Sequence, residues 1–454
     1  LSMDVFRELF FPVLLTGVTT IAGMMCLLTH TVVPAAQLGI LSSIGIFFAL
    51  VASIFFIPAV LSMMKVPQVM PDKEEKRAFT EKMLKKLAVF VSKHPGKLII
   101  INIVVSLLML FGVPEIIVDS NLAGYYPEGH PVRESSSLIN TKFGGSQVIS
   151  VNIKGDIKDP AVLKKIDEVE QKIASNPHVG NTLSIAKLVK LITKGAYKSD
   201  EAGFGKVPDT KSAVDFFLGK YSEMGDPEEL RKLVNEDFTQ AQIIAQINSE
   251  SSETIKRVVE ETELLIKDEP VFTGITGSGV IFKDLIEKVI EGQVVSLLLS
   301  LVIVCILVMM LFKSLTAGII AAFPLMVSLA LMFGLMGFTG VTLDIATALI
   351  SSIVIGVGVD YTIHVLWRYR IEMQKHDDPQ KAVEHTLFTA GRGIVYNAVS
   401  VMVGFVVLMF SSFLPIRFFG ALIILSIGTC LIGSIILLPS ICIIFKPAFL
   451  SKKS

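Results

Sequence analysis

The run Ile353-Val-Ile-Gly356-Val-Gly358-Val-Asp360-Tyr361-Thr-Ile-His364 sets a single carboxylic acid inside an apolar stretch long enough to cross a membrane. Asp360 is the only acid well inside any such stretch, since Asp344 stands at the outer end of the same segment and Glu291 at the edge of an earlier one. It precedes Arg368 by eight residues, which on a helix puts it about 12 Å from the charged edge. A carboxylate at that depth costs a few kcal/mol on insertion scales. The neutral form is favoured there, so the group is suited to taking up and releasing a proton. His364, four residues on, shares a helical face with Asp360 and is either a relay member or an interfacial residue. Tyr361 is either a hydroxyl partner or an interface anchor. Gly356 and Gly358 allow a neighbouring helix to approach closely. Asn397 and Ser400, three apart on a later stretch, are natural hydrogen-bond partners for the acid, although small polar residues also serve as packing. The plainer reading of Asp360 is a structural polar contact between helices. Intramembrane acids are more often functional.

The elements that must position these residues are membrane spans. The chain has 454 residues, 52% of them hydrophobic and 18% charged, and a mean hydropathy of +0.66. That excludes disorder and disfavours an ordinary soluble enzyme. Lys and Arg number 41 against 41 Asp and Glu, so nothing points to nucleic acid. Eight stretches reach or approach the ~20 apolar residues a transmembrane helix needs: 10–28, 37–61, 97–117, 293–312, 315–337, 343–367, 393–412 and 418–445. Basic residues crowd the segment 62–96, with Lys65, Lys73, Lys76, Arg77, Lys82, Lys85, Lys86 and Lys93. Lys313, Arg368, Arg370, Lys375, Lys381, Arg392, Lys446, Lys452 and Lys453 mark further positive loops and the tail. Threading eight spans with 62–96 inside puts all of these inside. The expectation is therefore a multi-pass protein of the cytoplasmic membrane. Both termini and the basic linker 62–96 lie inside, residues 118–292 lie outside, and a tail follows from 446 to 454. Cys26, Cys305, Cys430 and Cys442 all fall in apolar stretches, so no disulfide framework is expected, and no metal-ligand spacing is visible.

Shifted by 381 residues, the sequence matches itself without a gap. Gly23 falls on Gly404, Pro34 on Pro415, Gly39 on Gly420, Ser53 on Ser434, Pro58 on Pro439 and Lys65 on Lys446. Any two apolar helices look alike, but coincident Pro and Gly positions across two spans and their loop mark a repeat. The copies begin at spans one and seven, so both point the same way, as in parallel transporter repeats. Thr16 and Thr19 match Asn397 and Ser400, and are expected to face a matching acid in a span not included here. The first residues read as the cut end of something longer.

Residues 118–292 carry 21 Lys and Arg against 28 Asp and Glu and read as α+β. Gln147–Lys154 alternates as a half-buried strand does. Asp159-Pro160 opens a helix with apolar face Val162, Leu163, Ile166, Val169 and Ile173. Gln240–Ile247 is a second strand, Ser251 or Ser252 caps a second helix, and a Gly-rich strand over 271–282 leads into span four. Two strand–helix–strand units imply a ferredoxin-like domain, with a helical part over 185–235. His130 and His178 are isolated, and Gly274-Ile-Thr-Gly277-Ser-Gly279 lacks the Lys of a phosphate loop, so neither an enzyme nor a bound cofactor is expected.

The segment Gly356-Val-Gly358-Val-Asp360-Tyr361-Thr-Ile-His364 followed by Arg368-Tyr-Arg370 resembles the fourth-span motif in each half of the RND superfamily of exporters. Asp119-Ser-Asn-Leu and Tyr126-Pro-Glu-Gly-His130-Pro-Val-Arg133 resemble the start of that superfamily's outside porter domain. The order of one span, a large outside domain and five spans is similar too. With this modest outside domain, the chain is most similar to the MMPL and hopanoid-exporter branch. The resemblance implies an α-helical polytopic membrane protein with eight spans and an extracytoplasmic ferredoxin-like porter domain. Residues 97–445 would be one complete half (span 97–117, porter 118–292, five-span bundle 293–445), and 1–61 the last two spans of the other. It implies that Asp360, with Tyr361 beside it, carries protons whose inward flow drives export of lipid-like, hydrophobic or amphiphilic molecules. The partners would be protons, membrane lipids and that substrate. The departure is the absent first-half motif, which leaves one of two expected proton sites. A sterol-sensing or receptor-like protein and a protein-secretion accessory share the architecture. Monomer, dimer and trimer all remain open.

Overall fold

The computed structural model describes residues 2–64, 79–119, 121–225, 227–376 and 378–450. Lys65, Lys73, Lys76, Arg77, Lys452 and Lys453 of the basic pattern lie outside them. The chain divides into two compact units, 1–118 with 288–454, and 119–287.

The first unit is helical. Eight helices among the described residues are long and apolar enough to cross a membrane, which makes this a multi-pass membrane protein. They are span one (Phe10–Thr29), two (Val33–Val60), three (Pro95–Glu115), four (Ser278–Phe312), five (Leu315–Thr339), six (Ile345–His376), seven (Pro379–Phe410) and eight (Leu414–Phe445). Several run longer than the apolar stretches alone, because polar turns extend the helix past the hydrocarbon. Span six lies at the centre. Its Val354, Ile355, Val359, Tyr361, Ile363 and Leu366 pack in one core with Leu325 and Met332 of span five and Ile423, Ile427 and Cys430 of span eight. Spans two and three turn large apolar side chains outward, among them Phe47, Phe48, Phe55, Phe56, Leu107 and Leu108, as helices facing lipid must. Asp344 caps the start of span six: its carboxylate accepts from Thr347 N at 2.8 Å, and Thr347 Oγ1 accepts from Asp344 N at 2.8 Å.

The 381-residue shift carries element onto element. The 3₁₀ turn Cys26–Thr29 maps to Val407–Phe410, helix Val33–Val51 to Leu414–Ile432, and the π-helical turn Ala52–Phe56 to Gly433–Leu437. In each copy a proline is the second residue of the next helix (Pro58, Pro439), where its missing N–H and its ring would break a helix that ran on regularly from the preceding one. The wide turn absorbs that defect. Even the tight contacts correspond: a Cβ on Gly39 would meet Met24 O and Leu27 Cβ at 2.7 and 3.0 Å, and one on Gly420 would meet Phe405 O and Leu408 Cβ at 3.0 and 2.9 Å.

An amphipathic helix, Phe79–Lys93, buries Leu84, Ala88 and Val91 and exposes Lys82, Lys85 and Lys86. It packs on the first turns of span seven, where Arg392 Nη1 meets Glu81 Oε1 at 2.6 Å.

The second unit is a four-stranded antiparallel sheet in the order β2-β3-β1-β4, made of β1 (Gln147–Lys154), β2 (Val179–Leu183), β3 (Gln240–Ile247) and β4 (Phe272–Thr276). Helices Pro160–Ala174 and Ser252–Ile266 connect β1 to β2 and β3 to β4, the ferredoxin-like arrangement. Asp159 accepts from Ala161 N, and Ser251 from Thr254 N, as helix caps. Ile149, Val151 and Ile153 on one face of β1 meet Leu163, Ile166, Val258 and Val259 in its core. The Gly-rich stretch is shorter as a strand than its sequence implied. Gly277 takes φ +111°, with its Cα against the β1 backbone, and the long helix starts at Ser278. Between β2 and β3 lie helices Ile185–Ala196, Lys211–Met224 and Pro227–Arg231.

Gly23 and Gly404 are equivalent in the repeat but not in their surroundings. A Cβ on Gly23 would lie 2.8 Å from Gly356 Cα, whereas nothing stands within 4 Å of one on Gly404. Gly23→Ala should therefore lower the melting temperature in detergent, at an overpacking cost of about 1–3 kcal/mol. Gly404→Ala should leave it nearly unchanged, within about 0.5 kcal/mol. Equal effects would contradict the packing described.

Candidate functional site

Asp360 lies on span six at the seam with span one. Thr20 Oγ1 reaches its Oδ1 and Oδ2 at 3.2 and 3.3 Å, and also lies 3.1 Å from Gly356 O and 2.7 Å from Thr16 O. The hydroxyl has one proton and several acceptors. With Asp360 ionised, Thr20 donates to the carboxylate. With Asp360 protonated, the acid can donate to Thr20 Oγ1 while Thr20 turns its own proton to Thr16 O or Gly356 O. The contact thus accommodates both protonation states without leaving a buried group unpaired. Gly23 and Gly356 bring the two backbones close enough for so short a side chain to reach.

The other glycine faces elsewhere. A Cβ on Gly358 would meet Cys430 Sγ at 2.6 Å and Leu325 Cδ2 at 2.9 Å, so it admits spans eight and five. Tyr361 turns with that side. It is 1% exposed, and its hydroxyl has no hydrogen-bond partner among the described residues, so it does not pair with Asp360. Thr362 on the same helix lies 3.3 Å from Ser434 Oγ of span eight. His364 is half-buried and makes no hydrogen bond to Asp360 among the described residues.

One sequence expectation is corrected. Asn397 and Ser400 do not partner the acid: both are exposed on span seven, and Ser400 donates to Tyr396 O of its own helix at 2.8 Å. Thr16 and Thr19 bond within their own helix, to Val13 O and to Leu15 O and Thr16 O. Along the stretch that carries Asp360, span six lies against span one; it meets span seven at that span's first turns, before Asn397 and Ser400. Thr20, whose repeat mate is the apolar Val401, carried no signal beyond its place one turn after Thr16.

Sequence reasoning also passed over a buried polar strip. His30 Nε2 lies 3.0 Å from Ser296 Oγ. Gln293 Nε2 donates to Ser351 Oγ at 2.6 Å. Ser300 Oγ donates to Ser296 O at 2.7 Å and approaches Ser352 Oγ at 3.5 Å. All are buried, between span four and spans one and six. Ser352 precedes Asp360 by eight residues, about 12 Å along the helix. The i, i+4 spacing of Ser296 and Ser300 in an apolar span was the available clue.

Eight spans, a ferredoxin-like unit and an acid at a glycine-lined helix seam define a membrane protein of the RND type. The chain belongs to the MMPL family, whose model matches residues 4–118 and 154–453. A Methanocaldococcus jannaschii protein, described as a membrane protein, is 25% identical over 378 residues, 80% of this chain and 94% of that one. MmpL12 of Mycobacterium tuberculosis, described as a transport protein, is 29% identical over 96 residues, 21% of this chain and 8% of that one. Among solved structures, the hedgehog release protein Disp from the water bear Hypsibius dujardini has the same fold, with a TM-score of 0.64 at 12% identity over 97% of this chain. SecDF, a translocon-associated membrane protein from Thermus thermophilus, gives 0.51 at 12% identity over 98%. The chain spans 59% and 50% of those two.

The seam makes a geometric prediction. In a variant with the native cysteines replaced, Thr20→Cys with Asp360→Cys should cross-link under copper–phenanthroline oxidation. Asp360→Cys with Ser400→Cys should not, as read by mass spectrometry of the digest. A cross-link in the second pair alone would place span seven at the acid instead.

Proposed function

We propose that the chain is the working part of a proton-driven exporter of lipid-like, hydrophobic or amphiphilic molecules, with no enzymatic step of its own. Membership of a transporter family sets the class. The observation that carries the proton coupling is the Asp360–Thr20 contact, where, among the described residues, an acid within a span meets a hydroxyl from another span. Protonation changes which side donates across that contact, and so changes what holds spans one and six together. Alternation between the two bonding patterns is the step that would couple proton entry to movement of the bundle. In this reading the basic ends lie in the cytoplasm and residues 119–287 lie outside, where they receive the substrate. The polar strip from His30 to Ser352 is the outer approach to the acid.

The test is reconstitution of the chain in proteoliposomes with an imposed pH gradient, recording proton flux with a trapped dye and efflux of a fluorescent lipid. Asp360→Asn keeps size and polarity but carries no proton, and both fluxes should fall to background with the fold intact. Equal proton flux in wild type and variant, or none in wild type, would make Asp360 structural and favour a receptor-like role.

Thr20→Val removes the hydroxyl alone. Proton flux should fall on the order of tenfold, since a hydrogen bond to a charged group is worth about 1.5–3 kcal/mol. Thr20→Ser should restore it. Flux unchanged in Thr20→Val would remove the hydroxyl from the mechanism.

A further inference from the structure

Twelve residues beyond Asp360 on the same helix, Glu372 stands with His376 and His385 in a cluster whose three ligand atoms all lie within 4.8 Å of one another. Glu372 is 3% exposed, while both histidines are exposed. Local structure explains how they meet. Glu372 and His376 are i, i+4 on the last turns of span six, a spacing that puts two ligands on one helical face. Asp378 then caps helix Pro379–Thr386, accepting from Gln380 N and Lys381 N at 2.9 and 3.4 Å. That cap turns the chain back, so that His385 in the helix's last turn stacks on His376, with centroids 4.9 Å apart and planes 15° from parallel.

We infer that Glu372, His376 and His385 form a binding site for a borderline divalent transition metal such as Zn²⁺, Ni²⁺ or Cu²⁺. His376 Nε2 lies 3.5 Å from Glu372 Oε2. That is long for a hydrogen bond. It is close to the ~3.3 Å that separates two ligands placed about 2.0–2.1 Å from one tetrahedral ion. His385 needs only a small side-chain movement to join them, and its exposure leaves it free to move. Two imidazoles select this class of metal over Ca²⁺ or Mg²⁺, which take oxygen ligands. The carboxylate is already oriented. Arg368 Nη2 holds Glu372 Oε1 at 2.7 Å and Lys375 Nζ approaches the same oxygen at 3.5 Å, leaving Oε2 toward the histidines. Those two cations fix the ligand but also oppose a dication, so the site suits a reversibly bound ion and not a permanent structural one. Three protein ligands leave a position for water. The spacing carried no sequence signal because the third ligand comes from a different helix, nine residues on. An ion held here ties the end of the span that carries Asp360 to the first helix of span seven.

The experiment uses the full chain in detergent, without a polyhistidine tag and stripped of metal. It is titrated with Zn²⁺ by calorimetry and with Co²⁺ by visible absorption. Wild type should bind one equivalent that gives the intense absorption of a tetrahedral Co²⁺ site. His376→Ala and His385→Ala should each weaken that binding by at least about tenfold, the scale on which even supporting partners of a metal site act, and abolish the absorption. Both residues are exposed, so the metal-free variants should melt as wild type does, which separates ligand loss from misfolding. His94, His130 and His178 remain in every variant and set the background. Wild-type binding no stronger than that background, or binding indifferent to both substitutions, would overturn the assignment.

Discussion

An ionisable group inside a bilayer must find a partner in the protein, because the lipid offers none. Asp360 meets that requirement through a single threonine hydroxyl on another span. A threonine side chain is short, so the two helix axes have to come close, and Gly23 and Gly356 are what let them. The position of span one in the bundle follows from this: it lies along span six with its polar residues inward. The buried serines and His30 nearby extend the same rule: His30 meets Ser296 and Gln293 Nε2 meets Ser351 across the helix interfaces. The rest of span six is bound by a different face, where Gly358, Tyr361 and Thr362 pack against spans five and eight. One helix therefore has an apolar, closely packed side and a side where its carboxyl group meets a hydroxyl of span one.

The repeat shows how far local sequence carries and where it stops. Within each copy, the same turns, the same wide helical defect before a proline and the same glycine contacts recur at the same offset. These features depend on residues near one another in the chain. Across the bundle the copies part. Span one is covered by span six, while span seven leaves Asn397, Ser400 and Gly404 exposed. Identical internal geometry has been placed in two environments.

The Arg368 end of span six joins the helix that carries Asp360 to the first helix of span seven. Glu372 there is buried under Arg368 and within reach of two histidines. That end of the helix therefore carries a cluster of charged and imidazole groups where span six turns into the first helix of span seven. The sheet unit is held by a layer of mostly Ile, Val and Leu between sheet and helices, with the buried Glu170 accepting from Ser184 Oγ at one side of it.

Hydropathy, strand alternation and helix caps were enough to place the eight spans, β1, β3 and the two crossover helices, because each depends on burial of a periodic face or on a hydrogen bond a few residues away. β2 was passed over: Val179–Leu183 is short, and three of its five residues are exposed at the sheet edge. Asp360 itself was legible as the one acid in hydrocarbon. Its partner was not. Thr20 lies 340 residues away, while the polar pair Asn397 and Ser400 on the neighbouring stretch of the sequence offered itself instead. The same holds for His385 beside Glu372, and for His30 beside Ser296. Composition and periodicity decide which groups must be buried and which faces of a helix are apolar. Which helix lies against which is decided by packing between distant segments, where glycines permit close approach and buried polar atoms demand a partner, and only the tertiary structure shows that choice.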